Sequence, residues 1–214
     1  MDFSQEGLLS SLRRLQEGED EMVIAIDGPA GSGKSTIAKA IANELGFYFL
    51  NTGSFYRAYT LNQIQRNADP YDRTLVFENA RKIEITVQDG NICIDGVNVE
   101  PLLHTHEVDR FVSAVSSDPR LREYVNIQVR KLASNMNIVT EGRDTTTVIF
   151  PDADFKFYFD ASAEIRAERR TKEHPDGPSY EEVLKLIIER DKNDMTSFPL
   201  KIHSIQCYFP KRTL

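Results

Sequence analysis

The sequence predicts an α/β fold in which a parallel sheet is flanked by helices, with a small antiparallel β insertion and a short lid. Three observations predict it. Residues 22–26 form a continuous apolar run, the pattern of a parallel strand covered on both faces. A glycine-rich loop, a helical pattern and a second apolar run follow, an order typical of a βαβ unit. Residues 83–99 instead alternate apolar and polar positions around two Asp-Gly turns, which indicates an antiparallel meander.

The remaining elements follow from hydrophobic spacing and from breaks at glycine and proline. After the first strand we expect a helix over Lys34–Leu45, a strand over Phe47–Leu50, a helix from about Ser54 to Gln65, helical residues 107–134 with a break at Asp118 and Pro119, strands over Asn137–Thr140 and Phe155–Phe159, and helices over Ala163–Thr171 and Tyr180–Lys192. The predicted domains are an N-terminal extension (1–20) and one folded domain (21–214), with the insertion at about 60–120 and the lid region at about 166–190.

Length, charge and cysteine usage exclude several classes of protein. A chain of 214 residues can bury one substantial core. The formal net charge of −7 argues against a large basic surface for nucleic acid, and no apolar run approaches the ~20 residues that span a bilayer. Cys93 and Cys207 match no metal-binding spacing. We therefore expect a cytoplasmic monomer that acts on small molecules and binds neither a nucleic-acid polymer nor a membrane.

Residues Gly28–Ser35 fit the phosphate-binding pattern G-x-x-x-x-G-K-[ST]. Glycines let backbone N–H groups curl around phosphates, and the start of the following helix adds a partial positive charge. Lys34 can reach the β- and γ-phosphates, and the Ser35 hydroxyl can ligate Mg²⁺. A chance glycine-rich turn is disfavoured, because the motif follows a strand and opens a helix. The sequence thus predicts a P-loop NTPase-type sheet that binds ATP and Mg²⁺. The expected ATP-binding residues are Gly28, Pro29, Ala30, Gly31, Ser32, Gly33, Lys34, Ser35 and Thr36.

Charged residues that follow two strands suggest a second, acceptor subsite. Arg57 comes soon after the second strand, and Arg143 and Asp144 follow the strand at Ile138 and Val139. Ligands of open α/β sheets bind at this carboxyl edge, and arginine offers a planar fork for a phosphate. Asp144 could accept hydrogen bonds from the amino group of a base. The alternatives are an exposed helical arginine and a surface Arg–Asp pair.

A cluster of arginines precedes a segment broken by proline and glycine. Arg166, Arg169 and Arg170 share one helical face, and residues 174–178 follow as a possible lid. A closing lid would bring arginine onto the transferred phosphoryl group and exclude water. The alternative is a solvated helix face.

Two further pairs of residues admit two interpretations each. Arg190 and Asp194 are four residues apart on a predicted helix, so they can either face the site or pair with each other. His104 and His106 are more typical of a polar surface than of a metal site, because no further His or Cys ligand accompanies them.

Taken together, the motifs resemble those of the bacterial cytidylate kinases, which phosphorylate CMP and dCMP. The resemblance extends from Ile24 to about Leu200. Four stretches carry it: IAIDGPAGSGKST (24–36), LNTGSFYR (50–57), EGRDTTTVIFPDAD (141–154) and ASAEIRAERR (161–170). The meander at 83–99 also resembles the enlarged monophosphate-binding insertion of that family.

The resemblance implies a nucleoside monophosphate kinase that transfers phosphate from ATP to CMP or dCMP, giving ADP and CDP or dCDP without a covalent intermediate. It implies catalytic roles for Lys34, Arg57, Arg143, Arg166 and Arg170. It implies substrate contacts by Thr52, Arg57, Ser113, Arg120, Arg143, Asp144, Arg190 and Asp194. Within that set, Ser113, Arg120 and Asp144 would recognise the base.

Two alternatives stay open on the sequence. One is a kinase of the same fold that acts on UMP or AMP. The other is a catalytically weak nucleotide-binding protein, which is suggested because residues 190–198 and 201–214 depart from the family's pattern.

Overall fold

A parallel sheet with helices on its faces lies at the centre of the fold. The computed structural model describes residues 21–88, 90–173 and 177–197, and its description of side chains excludes residues 173 and 193–197. The strands are β1 (Val23–Asp27), β2 (Tyr48–Asn51), β3 (Ile85–Gln88), β4 (Asn91–Ile94), β5 (Val97–Asn98), β6 (Ile138–Gly142) and β7 (Phe155–Tyr158). The helices are α1 (Lys34–Leu45), α2 (Thr52–Gln65), α3 (Arg73–Ala80), α4 (His106–Val115), α5 (Pro119–Ala133), α6 (Ala163–Glu173) and α7 (Tyr180–Ser197). A 3₁₀ turn (Glu100–Leu102) and a π-helical turn (Thr145–Ile149) complete the described elements.

The central sheet has the strand order β2-β6-β1-β7, and all three pairings are parallel. Ala25 of β1 lies opposite Thr140 of β6 on one side and Lys156 of β7 on the other. Every residue of β6 is buried, as are the last four of β1. Inner parallel strands are covered on both faces, which is why β1 is a continuous apolar run. The predicted parallel sheet is confirmed.

The antiparallel insertion is a second sheet of three short strands in the order β3-β4-β5. Asp95 and Gly96 join β4 to β5, and both have positive φ angles, of 49° and 81°. Two consecutive positive φ angles define the hairpin turn that Asp-Gly sequences favour. The Asp95 carboxylate also accepts a hydrogen bond from the Glu84 backbone N–H at 2.8 Å. The predicted meander is confirmed.

The predicted break at Asp118 and Pro119 separates α4 from α5. The Asp118 side chain accepts a hydrogen bond from the Arg120 backbone N–H at 2.9 Å, and Pro119 occupies the first turn of α5. A proline is tolerated there because its missing N–H would have no partner in the helix. Both helices pack on α2 through a large apolar cluster that includes the fully buried Leu103 and Leu121.

Helix α3 is the one described α-helix that the sequence pattern does not predict. It has only eight residues, and its apolar and polar residues are poorly segregated. Asp72 caps its start by accepting hydrogen bonds from the N–H groups of Thr74 and Leu75, each at 3.0 Å. Val76 and Ala80 are buried against the neighbouring helices. Tertiary packing and one cap therefore stabilise a helix too short to show a clear period.

Helices α6 and α7 pack against each other and extend past their predicted ends, to Glu173 and Ser197. Residues 174–176 in the middle of the predicted lid, the extension 1–20 and the C-terminal residues 198–214 lie outside the described part. No helix within the described part is both long and apolar enough to cross a membrane.

Candidate active site

A polar cavity of about 400 Å³ lies at the carboxyl ends of β1, β2 and β6. Among the described residues, eight cationic side chains and three carboxylates line it. The cationic residues are Lys34, Arg57, Arg122, Arg143, Arg166, Arg169, Arg170 and Arg190. The carboxylates are Asp109, Glu141 and Asp144. The cavity is therefore positive although the whole chain carries a net charge of −7, and it suits ligands with several negative charges.

The loop between β1 and α1 adopts a backbone conformation that requires glycine. Gly28, Gly31 and Gly33 have φ angles of 154°, 76° and 92°. A Cβ on Gly28 would lie 2.1 Å from the carbonyl oxygen of Phe159, so no other residue fits there. Of the nine predicted ATP-binding residues, those that line the cavity are Ala30, Gly31, Lys34 and Ser35. The five that do not line the cavity are Gly28, Pro29, Ser32 and Gly33 of the loop and Thr36 in the first turn of α1.

Glu141, at the end of β6, organises the first residues of α1. Its Oε1 accepts a hydrogen bond from the Ser35 hydroxyl at 2.8 Å, and its Oε2 lies 3.5 Å from the Lys34 ammonium nitrogen. Lys34 also donates to the carbonyl oxygen of Pro29 at 3.2 Å. Burial lowers the pKa of Lys34, and the charge of Glu141 opposes that shift. The result is a fixed cation beside the glycine-rich loop.

The buried carboxylate of Asp27, at the end of β1, fixes the π-helical turn. It accepts hydrogen bonds from the backbone N–H groups of Thr145 and Thr146, both at 2.8 Å, and from the Thr146 hydroxyl at 2.6 Å. Burial raises the pKa of Asp27, while these hydrogen bonds favour its ionised form. The turn begins directly after Asp144, so Asp27 determines where the Asp144 carboxylate lies.

Asp144 forms an ion pair with Arg122 of α5 inside the cavity. The Arg122 guanidinium lies 5.2 Å from the ring centroid of Tyr56, and Ser113 lines the same cavity. Asp144 and Arg122 together present hydrogen-bond acceptors and donors beside an aromatic ring. This arrangement can recognise a flat polar group such as a nucleobase.

The geometry contradicts the prediction that Arg120 belongs to the site. Its side chain is half exposed, and its Nη2 donates to Asp118 at 2.8 Å and to the backbone carbonyl of Arg73 at 3.2 Å. Positions two apart on a helix point roughly 200° apart. Arg122 therefore faces the cavity while Arg120 faces outward, over the ring of Phe77.

Arg57 and Arg170 meet at a carboxylate from α4. The Nη2 of Arg57 donates to Asp109 Oδ1 at 2.7 Å, and the Nη2 of Arg170 donates to Asp109 Oδ2 at 3.0 Å. Arg57 also donates to the backbone carbonyl of Leu103 at 2.8 Å. Burial acts to raise the pKa of Asp109, but the two guanidinium groups outweigh it and the pKa is lowered. Asp109 thus joins the core of the domain to helix α6.

Arg166 and Arg169 attach α6 to the glycine-rich loop. Arg166 is buried, forms a bidentate ion pair with Asp191 of α7, and donates to the carbonyl oxygen of Ala30 at 3.4 Å. Arg169 donates to the carbonyl oxygen of Ser32 at 3.2 Å. All three arginines of the predicted cluster line the cavity, so the interpretation as a purely solvated face does not hold.

The other predicted residues are placed as follows. Thr52, Arg143 and Arg190 line the cavity, and the Thr52 hydroxyl donates to the backbone carbonyl of Glu141 at 2.9 Å. A Cβ on Gly142 would lie 2.4 Å from the Thr52 oxygen, so this close approach requires glycine. The side chain of Asp194 lies outside the described residues.

Among the cavity residues to which the sequence pattern assigns no role are Tyr56, Asp109, Arg122 and Glu141. Glu141 lies two residues before the predicted Arg143 at the end of a strand, so its position in the sequence indicates a place at the same sheet edge. Asp109 and Arg122 lie on amphipathic helices, and only the packing of those helices brings them to the sheet edge.

A glycine-rich loop that opens a helix, a buried lysine, and arginines from several other elements around one cavity define a P-loop phosphotransferase. The match to the family model described as "Cytidylate kinase" covers residues 24–204, and this chain belongs to the cytidylate kinase family.

Curated relatives agree with that family. The cytidylate kinase of Caldanaerobacter subterraneus subsp. tengcongensis is 43% identical over 174 residues, covering 80% of this chain and 78% of the relative. The cytidylate kinase of Clostridium botulinum strain Langeland is 40% identical, covering 80% of each chain. That of Rhodopirellula baltica is 40% identical, covering 81% of this chain and 77% of the relative. A shikimate kinase structure from Acinetobacter baumannii aligns over 86% of this chain and 83% of its own, but its TM-score of 0.39 and 16% identity are too low to support any inference.

Proposed function

We propose that this protein transfers the γ-phosphoryl group of ATP to CMP or dCMP, giving ADP and CDP or dCDP. The observation that carries the proposal is one continuous cavity with two differently built ends. Lys34, Ser35 and the glycine-rich loop lie at one end, and the Arg122–Asp144 pair lies at the other. Arg57 and Arg143 line the same cavity. An arrangement of this kind holds a triphosphate and a monophosphate end to end.

The donor end suits the phosphates of ATP. The loop's N–H groups and the start of α1 attract anions, and Lys34 supplies a fixed positive charge to the β- and γ-phosphates. The Ser35 hydroxyl and the Glu141 carboxylate are 2.8 Å apart, and both are oxygen ligands of the type that Mg²⁺ prefers. These two residues would hold the ion, directly or through water, and the ion would neutralise charge on the transferring group.

The acceptor end suits cytosine. Cytosine carries an exocyclic amino donor, which the Asp144 carboxylate can accept, and ring acceptors that the Arg122 guanidinium can meet. Ser113 also lines the cavity, and its hydroxyl would add a further contact to the base. Uracil presents an oxygen where cytosine has its amino group, so it would face the carboxylate unfavourably. The pair therefore favours CMP over UMP.

The transfer itself requires position and charge rather than a covalent intermediate. Arg57 and Arg143 would hold the acceptor phosphate in line with the γ-phosphate, and Lys34 would stabilise the charge that develops on the transferred group. Arg170 belongs to the proposed lid at 166–190 and reaches the cavity from α6. Arg166 forms an ion pair with Asp191 and donates to the carbonyl oxygen of Ala30, so it would fix the lid helices to the glycine-rich loop. Cytoplasmic location and a monomeric state are part of the same proposal.

An acceptor screen tests the proposal. Purified protein with ATP and Mg²⁺ is given CMP, dCMP, UMP and AMP in turn, and ADP release is measured by a coupled assay. We expect fastest turnover with CMP or dCMP. Equal rates on CMP and AMP would reject the assigned base recognition. Binding of ATP without turnover on any acceptor would instead support a nucleotide-binding protein of low activity.

A further inference from the structure

Asp109 holds two arginines that come from different parts of the fold. Arg57 belongs to α2 in the core, Arg170 belongs to α6 in the proposed lid region, and Asp109 belongs to α4. Each carboxylate oxygen accepts a hydrogen bond from one guanidinium, at 2.7 Å and 3.0 Å. The three side chains are 14%, 26% and 35% exposed, for Arg57, Asp109 and Arg170 in turn, and they line the same cavity. Proteins commonly bind a phosphate group in the same way, with its oxygens accepting hydrogen bonds from arginine side chains.

The two hydrogen bonds of the Arg57 guanidinium allow it to exchange one anionic partner for another. Its Nη1 is fixed by the backbone carbonyl of Leu103 at 2.8 Å, and its Nη2 is the atom that donates to Asp109. The anchor at Leu103 keeps the guanidinium in place when the partner of Nη2 changes. The nearby His104 contributes little positive charge at neutral pH, because burial lowers its pKa. Arg57 and Arg170 donate hydrogen bonds to Asp109, and the charge of Arg190 also lowers the pKa of Asp109.

We propose that Asp109 occupies the acceptor-phosphate subsite by competing with the acceptor's phosphate for Arg57 and Arg170, and that it thereby lowers the affinity for a phosphorylated acceptor. The inference rests on the proposed function, because it takes the competing anion to be the phosphate of CMP. A phosphate carries about −1.5 to −2 charges and three acceptor oxygens, so it can replace a carboxylate that carries one charge. An acceptor without phosphate cannot do so.

Competition has a measurable consequence for affinity. Part of the binding free energy of CMP is used to displace Asp109, so the carboxylate weakens CMP binding. Cytidine has the same base and sugar but no phosphate, and it leaves the Asp109 bridge intact. Loss of the Asp109 charge should therefore strengthen binding of CMP and leave binding of cytidine unchanged.

The test compares Asp109→Asn with the wild-type protein, without ATP. CMP affinity is measured by calorimetry and cytidine affinity by ligand-observed NMR. We expect the dissociation constant of CMP to fall about three- to tenfold, the range for one partly screened charge pair, and that of cytidine to change less than about twofold. In steady-state assays the KM for CMP should fall without a parallel rise in kcat.

Two matched variants separate charge from structure. Glu107→Gln removes an exposed carboxylate from the same helix and should leave both affinities unchanged. Asp109→Glu keeps the charge and should bind CMP more weakly than Asp109→Asn does. Thermal melting verifies folding, and Asp109→Ser serves as a second neutral variant if Asp109→Asn folds poorly.

The outcomes distinguish this inference from the proposed function. If wild-type protein binds CMP but the neutral variants bind it no more tightly, or if cytidine tightens equally, the competition is refuted and the kinase assignment is untouched. If wild-type protein binds no CMP at all, the assignment fails and this inference fails with it.

Discussion

Glu141 shows how one buried side chain can order the donor end of the cavity. Its two oxygens engage Ser35 and Lys34 separately, and its backbone carbonyl accepts a hydrogen bond from Thr52. A carboxylate this deeply buried is stable only with such partners, because an unpaired buried charge is costly. Glu141 therefore fixes the first turn of α1 relative to β6 and to the start of α2.

Replacement of Lys34 by alanine tests the cation at the glycine-rich loop. Lys34→Ala should reduce kcat by about 10²-fold or more, the usual cost of losing one group that stabilises transition-state charge. The measurement is ADP release at saturating CMP. Lys39→Ala is the matched control, since Lys39 is exposed on the same helix and contacts the ring of Phe49. Similar losses in both variants, or near-normal turnover of Lys34→Ala, would contradict the assigned role.

Arg122 and Arg120 provide a test within one turn of α5. Arg122→Ala should raise the KM for CMP at least about tenfold, because it leaves Asp144 without its partner and removes a donor to the base. Arg120→Ala should leave that KM within about twofold, since a half-exposed ion pair contributes little. The KM for ATP should change little in either variant. A larger effect from Arg120→Ala than from Arg122→Ala would show that Arg120 contacts CMP.

At the scale of elements, the π-helical turn is the least predictable part of the site. The sequence from Thr145 to Ile149 has no helical period, and its conformation depends on Asp27, which is more than one hundred residues away in the chain. Arg130 of α5 adds hydrogen bonds to the carbonyls of Val148 and Ile149, at 2.7 Å and 2.8 Å. Long-range partners such as these leave no local signal. By contrast, β1, α1 and the meander have strong local patterns, which predict their positions to within a residue or two.

The hydroxyl of Thr146 should stabilise the ionised form of Asp27. Thr146→Val removes the 2.6 Å hydrogen bond and should cost about 1–3 kcal/mol in the free energy of unfolding at neutral pH. Burial raises the pKa of Asp27 in the folded protein, so the stability that Asp27 contributes is largest below its unfolded pKa and is lost as pH rises through the folded pKa. Thr146→Val raises the folded pKa further.

The difference in stability between Thr146→Val and wild type should therefore grow as pH rises through that window. Urea unfolding at several pH values between about 4 and about 8 measures it. Thr147→Val is the control, because Thr147 is exposed and its hydroxyl makes only a long contact of 3.4 Å to the carbonyl of Asp144. A difference independent of pH would show that the hydroxyl does not act on the charge of Asp27.

At the scale of the whole molecule, sequence patterns indicate which strands meet at one edge but not which helix faces meet there. The glycine-rich loop, Arg57 and Arg143 follow predicted strands, so the topology of a parallel sheet brings them together. Asp109 and Arg122 lie on α4 and α5, and their place in the cavity depends on how these helices pack around Leu103 and Leu121. Packing of this kind is a property of the complete core and has no short-range signature.

The distribution of charge gives a final prediction for the complete protein. The chain has a net charge of −7 and CMP is an anion, so the overall field repels the substrate. The cavity, however, is lined by eight cationic residues against three carboxylates among the described residues. Local charges within a Debye length of about 8–10 Å outweigh distant ones. Added salt should therefore lower kcat/KM for CMP rather than raise it.

The measurement is kcat/KM for CMP between about 50 and about 500 mM KCl, at constant free Mg²⁺ and saturating ATP. We expect a decrease of several-fold, because screening weakens the attraction of the arginines for the acceptor phosphate. Choline chloride should give the same curve, which excludes a specific effect of potassium. A rise in kcat/KM with salt would mean that repulsion by the net charge dominates. The cationic residues of the cavity would then not supply the attraction on which binding of two anionic nucleotides depends.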